Sequence, residues 1–154
     1  MSMSWIKAFF YEDYEFAYGV LDVEMQQFKD SAILLYTHAY ILRKEGRIPE
    51  STESLRRAHA SIAEIPEFQT KLDYELGNNH FLLLEWEEAL RYLVNFLNNS
   101  NSETFRAFCA YQIGFSYFML GDVDKATTYM KKIQPWVRKV STFNVGNTSS
   151  GLLI

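Results

Sequence analysis

Three histidines are the first candidates for chemistry. His38, His59 and His80 stand 21 residues apart. Imidazole serves as metal ligand or general base, and a metal site needs several such ligands to converge. The chain has no His-Glu-x-x-His and no histidine pair at i, i+4. The three also fall at different places in the helical pattern, so they read as packing or surface residues. Cys109 is the single cysteine, within Phe105-Arg106-Ala107-Phe108-Cys109-Ala110-Tyr111. A nucleophilic thiol needs an accessible, electropositive setting and a base. In an apolar stretch a free thiol behaves as a small buried hydrophobe. One cysteine also excludes an intramolecular disulfide and a multi-cysteine zinc site, and fits a reducing compartment. Carboxylates cluster at Glu12, Asp13 and Glu15, at Glu64 and Glu67, and at Glu85, Glu87 and Glu88. Such groups can do acid–base work. Each cluster, however, lies near an expected helix start, where the dipole favours negative charge. Gly46 and Gly121 are isolated turn glycines, not a phosphate-binding loop. Asn98 and Asn147 open glycosylation sequons, which are empty without a secretory leader. The expectation is a protein with no catalytic residues, no metal and no cofactor.

The remaining composition sets the class. In 154 residues, 48% are hydrophobic and 16% aromatic, enough for one domain with a real core. Fifteen basic and 19 acidic residues give a net charge of −4. With no basic excess or stripe, nucleic acid is not an expected partner. The most apolar run, 32–42, is interrupted by Thr37 and His38. It is far short of the about 20 residues that a membrane span needs. The opening Met1-Ser2-Met3-Ser4-Trp5 lacks a charged region followed by an apolar one, so no signal peptide and a cytoplasmic location are expected.

The elements that must position these residues are helical. Apolar residues recur at helical spacing: Leu72, Leu76, His80 and Leu83 on one face, Trp86, Leu90, Leu93, Val94 and Leu97 on another, and Ile113, Tyr117 and Leu120 on a third. The pattern predicts eight helices at about 3–11, 13–28, 31–45, 48–62, 66–83, 86–98, 103–120 and 122–138. Gly46 follows Arg43 and Lys44, the cations expected at a helix C-terminus. Gly121 ends the seventh helix and Asp122 caps the eighth. Ser100 and Glu103 have capping-box spacing, and Pro66 suits a first turn. Residues 1–138 form one helical repeat domain. Residues 139–154, rich in Ser, Thr, Asn and Gly, are expected to be a flexible C-terminal tail.

The helices repeat. Leu76-Gly77 and Ile113-Gly114 lie 37 residues apart, as do Ala89 and Ala126. One unit upstream, Ala39 takes the small position, Gly46 the position of Gly121, and Ser51 the position of Ala89. A further 34 residues back stands Ala17. The pattern resembles the tetratricopeptide repeat, a helix–turn–helix of about 34 residues. The last unit carries Ile113-Gly114, Tyr117, Gly121 and Ala126. The middle unit carries Leu76-Gly77 and Ala89, with His80 and Leu84 where Tyr and Gly are usual. Small residues at 39, 77, 89, 114 and 126 let paired helices cross closely. Tyr117, Trp86 and Phe96 are expected to fill the space between pairs. The resemblance implies an all-α, right-handed superhelix of about four antiparallel pairs, the first abbreviated.

A narrower resemblance is to the tetratricopeptide repeat protein 39 family and its fungal relative, the inclusion-body clearance protein. It is carried by Phe28-Lys29-Asp30-Ser31-Ala32-Ile33-Leu34-Leu35-Tyr36, Lys44-Glu45-Gly46-Arg47, Asp73-Tyr74-Glu75-Leu76 and Glu85-Trp86-Glu87-Glu88-Ala89. That family's chains are several times longer, and this chain corresponds to a middle section of them. The family is associated with lipid and sterol homeostasis and with protein interaction.

In tetratricopeptide arrays the first helix of each pair lines a concave groove. By register, the groove residues here are Ile33, Tyr36, Tyr40, Arg43 and Lys44, then Lys71, Tyr74, Asn78 and Phe81, then Phe108, Tyr111, Phe115 and Phe118. Mixed aromatic and basic residues suit a peptide with apolar anchors and an acidic end. Arg43, Lys44 and Lys71 are the cations for a carboxylate or phosphate. The resemblance thus implies a non-enzymatic adaptor that binds a protein or peptide. An alternative is a lipid-homeostasis protein holding an acyl chain or sterol among Phe108, Phe115 and Phe118. A third account of the aromatic helix is self-association through an open C-terminal face.

Overall fold

The computed structural model describes residues 14–28, 31–62 and 66–147. Among these there are seven helices: α1 (Tyr14–Gln27), α2 (Ala32–Lys44), α3 (Ile48–Ser61), α4 (Pro66–Leu82), α5 (Trp86–Asn99), α6 (Glu103–Met119) and α7 (Val123–Asn147). The described residues contain no strand. The helix expected at 3–11 lies outside them. The other ends fall within one residue of expectation, except the last. There α7 continues to Asn147 with Pro135 inside it, so the backbone is helical where a loose tail is expected from 139. Ser, Thr and Asn lower helix propensity only modestly, and composition alone does not end a helix. Among the described residues no helix is long and apolar enough to cross a membrane.

Neighbours in sequence are neighbours in space. Helix α2 packs on α3, α4 on α5 and α6 on α7; α1 lies against α2. The pairs join through α3 with α4 and α5 with α6, while α4 also touches α6. The fold is an all-α, tetratricopeptide-like stack. Its core is shared across pairs. Leu35 and Ala39 of α2 are buried with Leu55 and Ala58 of α3 and Leu72 and Leu76 of α4. Ala89, Leu93, Phe96 and Leu97 of α5 are buried with Cys109 and Ile113 of α6. Among the described residues both of these clusters extend beyond a single pair, as expected for stacked repeats.

The small residues mark the crossings. A Cβ placed on Gly77 would lie 2.6 Å from both Cγ and Cδ2 of Leu93. One on Gly114 would lie 3.0 Å from the Met130 methyl and 3.4 Å from the Ala126 carbonyl oxygen. The close partner of Gly77 is thus Leu93, one helical turn past Ala89. Tyr117 packs against the core that α5 and α6 share between pairs, as expected, and also stacks on Tyr129 within its own pair, with ring centroids 5.7 Å apart.

The turns inside the three complete pairs share one hydrogen-bond scheme. Gly46 N–H donates to Arg43 O and Arg47 N–H to Leu42 O; Leu84 donates to Phe81 and Glu85 to His80; Gly121 donates to Phe118 and Asp122 to Tyr117. This is the Schellman pattern, which puts its central residue in the left-handed region. Gly46 and Gly121 sit there at φ +79° and +87°, and Leu84 at φ +61°. A side chain in that region costs about 1–2 kcal/mol. Leu84 holds a strained backbone while remaining 66% exposed.

Two expected caps fare differently. Asp122 Oδ1 accepts the Lys125 N–H at 3.1 Å, as expected of the α7 cap. The Ser100–Glu103 capping box does not form. Ser102 is the residue before α6, and the Ser100 hydroxyl accepts from the Ser102 N–H at 3.3 Å. Arg106 fixes this loop instead, donating to the carbonyls of Leu97 and Ser100 at 2.9 and 2.6 Å.

Candidate interaction groove

The first helices α2, α4 and α6 carry the expected groove residues, and specific contacts tie the three together. Between α2 and α4 the tie is polar. Arg43 Nη2 lies 2.5 Å from Glu75 Oε2, with both side chains mostly buried. Arg43 Nη1 donates to Asn79 Oδ1 at 3.2 Å. Asn79 in turn donates to Ser51 Oγ at 3.0 Å and Thr52 Oγ1 at 3.3 Å, and Ser51 donates to the Ala39 carbonyl at 2.6 Å. Tyr36 donates to Glu75 Oε1 at 3.4 Å. Burial, followed by the charge of Glu75, pushes the Tyr36 hydroxyl up to about 12. Arg43 therefore has its carboxylate within the protein.

The two lysines of the groove have a different setting. Lys71 Nζ sits 5.0 Å from the centre of the Tyr36 ring, and Lys44 Nζ 5.4 Å from that of Tyr40. These are cation–π distances, which leave the ammonium donors for another acceptor. Arg43 also lies over Tyr40, at 5.9 Å.

Between α4 and α6 the ties are mostly aromatic. Tyr74 packs against Phe96 and Phe105, at 4.9 and 5.3 Å between centroids. These three rings, with Glu67, Thr70, Lys71, Glu75 and Ser100, line a cleft of about 310 Å³. Burial raises the Tyr74 hydroxyl above its ordinary value. Gln112 Nε2 donates to Asn78 Oδ1 at 2.9 Å. Phe81, Trp86 and Phe115 meet edge-on, at 5.5 to 5.7 Å, and Tyr111 lies 6.3 Å from Phe115.

The structure thus brings Arg43, Tyr36 and Lys71 together on one side, Tyr74 and the cleft in the middle, and Phe81, Tyr111 and Phe115 on the other. Phe108, Tyr111 and Phe118 remain 49%, 44% and 59% exposed, and Ile33 is 51% exposed. Phe115 and Phe118 line an open cleft of about 540 Å³ that Phe108 does not join. Sequence reasoning missed Glu75, Asn79, Phe96 and Phe105 as parts of this face. Glu75 and Asn79 stand four apart on one side of α4, and both are buried; with Lys71 and Asn78 polar on the same side, spacing alone does not single out the inward pair.

Of the histidines and the cysteine, His59 and His80 share a neighbour, the Tyr92 ring, at 6.2 and 5.6 Å between centroids. His38 Nδ1 lies 2.9 Å from Ser54 Oγ, and burial lowers its pKa. His59 Nε2 lies 2.9 Å from Asp73 Oδ1, whose other oxygen accepts from Asn95 at 2.5 Å. His80 Nδ1 lies 2.6 Å from Glu85 Oε2, and its ring stacks on Tyr92. Cys109 is buried with its thiol directed at the Leu93 carbonyl, 3.2 Å away, and burial pushes the thiol up to about 12.

The chain is similar to MamA in its crystal structure, with a TM-score of 0.72 and 20% identity, covering 88% of this chain and 76% of that one. At that identity the likeness is one of fold. No curated protein matches the chain in sequence. The family model described as Iml2/Tetratricopeptide repeat protein 39 matches residues 7–148. The repeat pattern, the fold and this match agree, and the chain belongs to the Iml2/tetratricopeptide repeat protein 39 family.

Proposed function

We propose that the chain is a non-enzymatic protein-interaction adaptor acting in the cytoplasm, and that its α2–α4–α6 face holds a peptide or a partner helix. The observation that carries this is the row of large side chains left exposed on α6, Phe108 and Tyr111 foremost, beside the Tyr74 cleft. A helix that only completed a core would turn such residues inward. A large apolar side chain of the partner suits the cleft floored by Tyr74, Phe96 and Phe105. Lys71 at its edge and Lys44 beyond suit a carboxylate or phosphate that follows. Arg43 contributes by holding α2 to α4 rather than by touching the ligand. An acyl chain or sterol calls for an enclosed apolar cavity. The open cleft at Phe115 and Phe118 lends that alternative no support.

Site-specific photocrosslinking tests the reading. Benzoylphenylalanine replacing Tyr74 or Tyr111 is expected to crosslink a protein partner, while the same group replacing Arg91 on α5 does not. Equal crosslinking at all three positions would sink the groove. Crosslinks from Tyr111 to a second copy of this chain would assign the α6 face to self-association.

A further inference from the structure

The turns between paired helices offer an internal comparison. All three have the same hydrogen bonds and the same left-handed central residue. Their sequences differ sharply. The first reads Arg43-Lys44-Glu45-Gly46-Arg47, the second Phe81-Leu82-Leu83-Leu84-Glu85, the third Phe118-Met119-Leu120-Gly121-Asp122. The first turn demonstrates that charged residues build this backbone. The fold therefore does not require apolar residues at the other two.

Those apolar residues are not buried either. Leu82, Leu84, Phe118, Met119, Leu120 and Val123 are between 43% and 66% exposed. The two turns are adjacent, because Phe81 and Trp86 beside the second both touch Phe115, one helical turn before Phe118. They form one apolar rim at the turn end of the last two pairs. Its centre is Leu84, whose backbone conformation favours glycine and whose side chain gains little by burial within the chain. Strain kept at an exposed apolar residue points to a contact outside the molecule.

Charge selects the occupant. The residues that follow the two turns are acidic: Glu85 and Glu87 after the second, Asp122 and Asp124 after the third. Glu85 already bonds His80 and Asp122 pairs with Lys125, so Glu87 and Asp124, both exposed, are the carboxylates left to face a partner. The first turn ends in Arg47 instead. An apolar strip edged by carboxylates is complementary to an amphipathic helix with Lys or Arg beside its apolar face. The same carboxylates oppose an anionic bilayer. We infer that this rim, separate from the groove except for Phe118, docks a basic amphipathic helix of a partner protein.

The probe is a fluorescent helical peptide made only of Leu and Lys, with a Leu–Glu counterpart. Anisotropy is expected to show binding of the Leu–Lys helix. Leu82→Lys with Leu84→Gly, which gives those two positions the residues found at 44 and 46 in the first turn, is expected to weaken binding about tenfold or more. Leu84→Gly suits the backbone there, so this variant keeps its fold, and a thermal melt checks that. Lys71→Ala with Tyr74→Ala is expected to leave the affinity unchanged, which separates the rim from the groove. Four outcomes overturn the inference: no binding of the Leu–Lys helix, equal binding of the Leu–Glu helix, no effect of the turn variant, or an equal loss in the groove variant. Rim-dependent binding to phosphatidylserine vesicles but not to the peptide would reassign it to a membrane.

Discussion

Glu75 is the residue on which the α2–α4 contact depends. It accepts from Tyr36 and pairs with Arg43, with little water to replace either. Removing one partner of a mostly buried pair strands the other charge. Glu75→Ala is expected to lower stability by about 3 kcal/mol in urea unfolding. Arg43→Met combined with Glu75→Leu is expected to cost markedly less than the sum of the single changes, because neither charge is then stranded. Alkali reads the same surroundings. Tyr36 and Cys109 are both raised to about 12, from ordinary values of 10.0 and 9.0. A raised pKa favours the neutral folded form, so its contribution is complete below the ordinary value and is lost as pH climbs towards 12. Stability is expected to fall between about pH 9 and 12, and Tyr36→Phe to flatten the upper part of that fall in a pH series of melts. At this scale the sequence was only partly legible. Repeated small residues declare themselves by register. The partner of Arg43 does not, because Glu75 stands on another helix and meets it only through the relative stagger of α2 and α4.

Helices and turns were far more legible, since their signals are local. Apolar spacing, Pro66, Gly46, Gly121 and Asp122 each mark an end that the structure keeps. The differences from expectation at helix ends have local causes too. Ser100 has capping spacing, but Arg106 holds that loop through its carbonyls. The polar composition after Ser141 contains no strong breaker before Gly146, so α7 runs on to Asn147. Two glycine positions separate packing from conformation. Gly77 faces Leu93 Cγ as well as a methyl, whereas Gly114 faces the mobile end of Met130. Gly77→Ala is expected to lose about 1–3 kcal/mol. Gly114→Ala is expected to be near neutral, a gain in helix propensity offsetting a small shift of Met130. Reversal of that order in denaturant titrations would contradict the crossing geometry. Leu84→Gly is expected to stabilise the protein by about 1 kcal/mol by relieving the left-handed backbone, read as a raised Tm.

The whole molecule is a short stack in which each core is borrowed from the next pair. This explains why the fold was legible from register alone: one unit recognised fixes its neighbours. Register supplied the groove positions as an expectation, but not the contacts that each side chain makes within the protein. Arg43 turned inward, while Phe96 and Phe105 joined the face from a second helix and a helix start. Ligand charge is the property that belongs to this scale. With Arg43 engaged, Lys44 and Lys71 are the groove cations set over tyrosine rings. Partner binding at the groove is expected to weaken as salt rises and to lose most of that dependence in Lys44→Ala with Lys71→Ala, measured by anisotropy at several ionic strengths. An unchanged salt slope would remove these lysines from the interface.

Trp86 has a consequence of an optical kind. Its indole is held between Phe81 and Phe115, where the end of the aromatic face meets the apolar rim. The molecule thus carries a fluorophore at the junction of its two candidate docking surfaces. With Trp5 and Trp136 replaced by Phe, the emission of Trp86 alone would shift and its quenching by acrylamide would change as either surface fills. Occupancy could then be followed in real time, with no label attached to the partner.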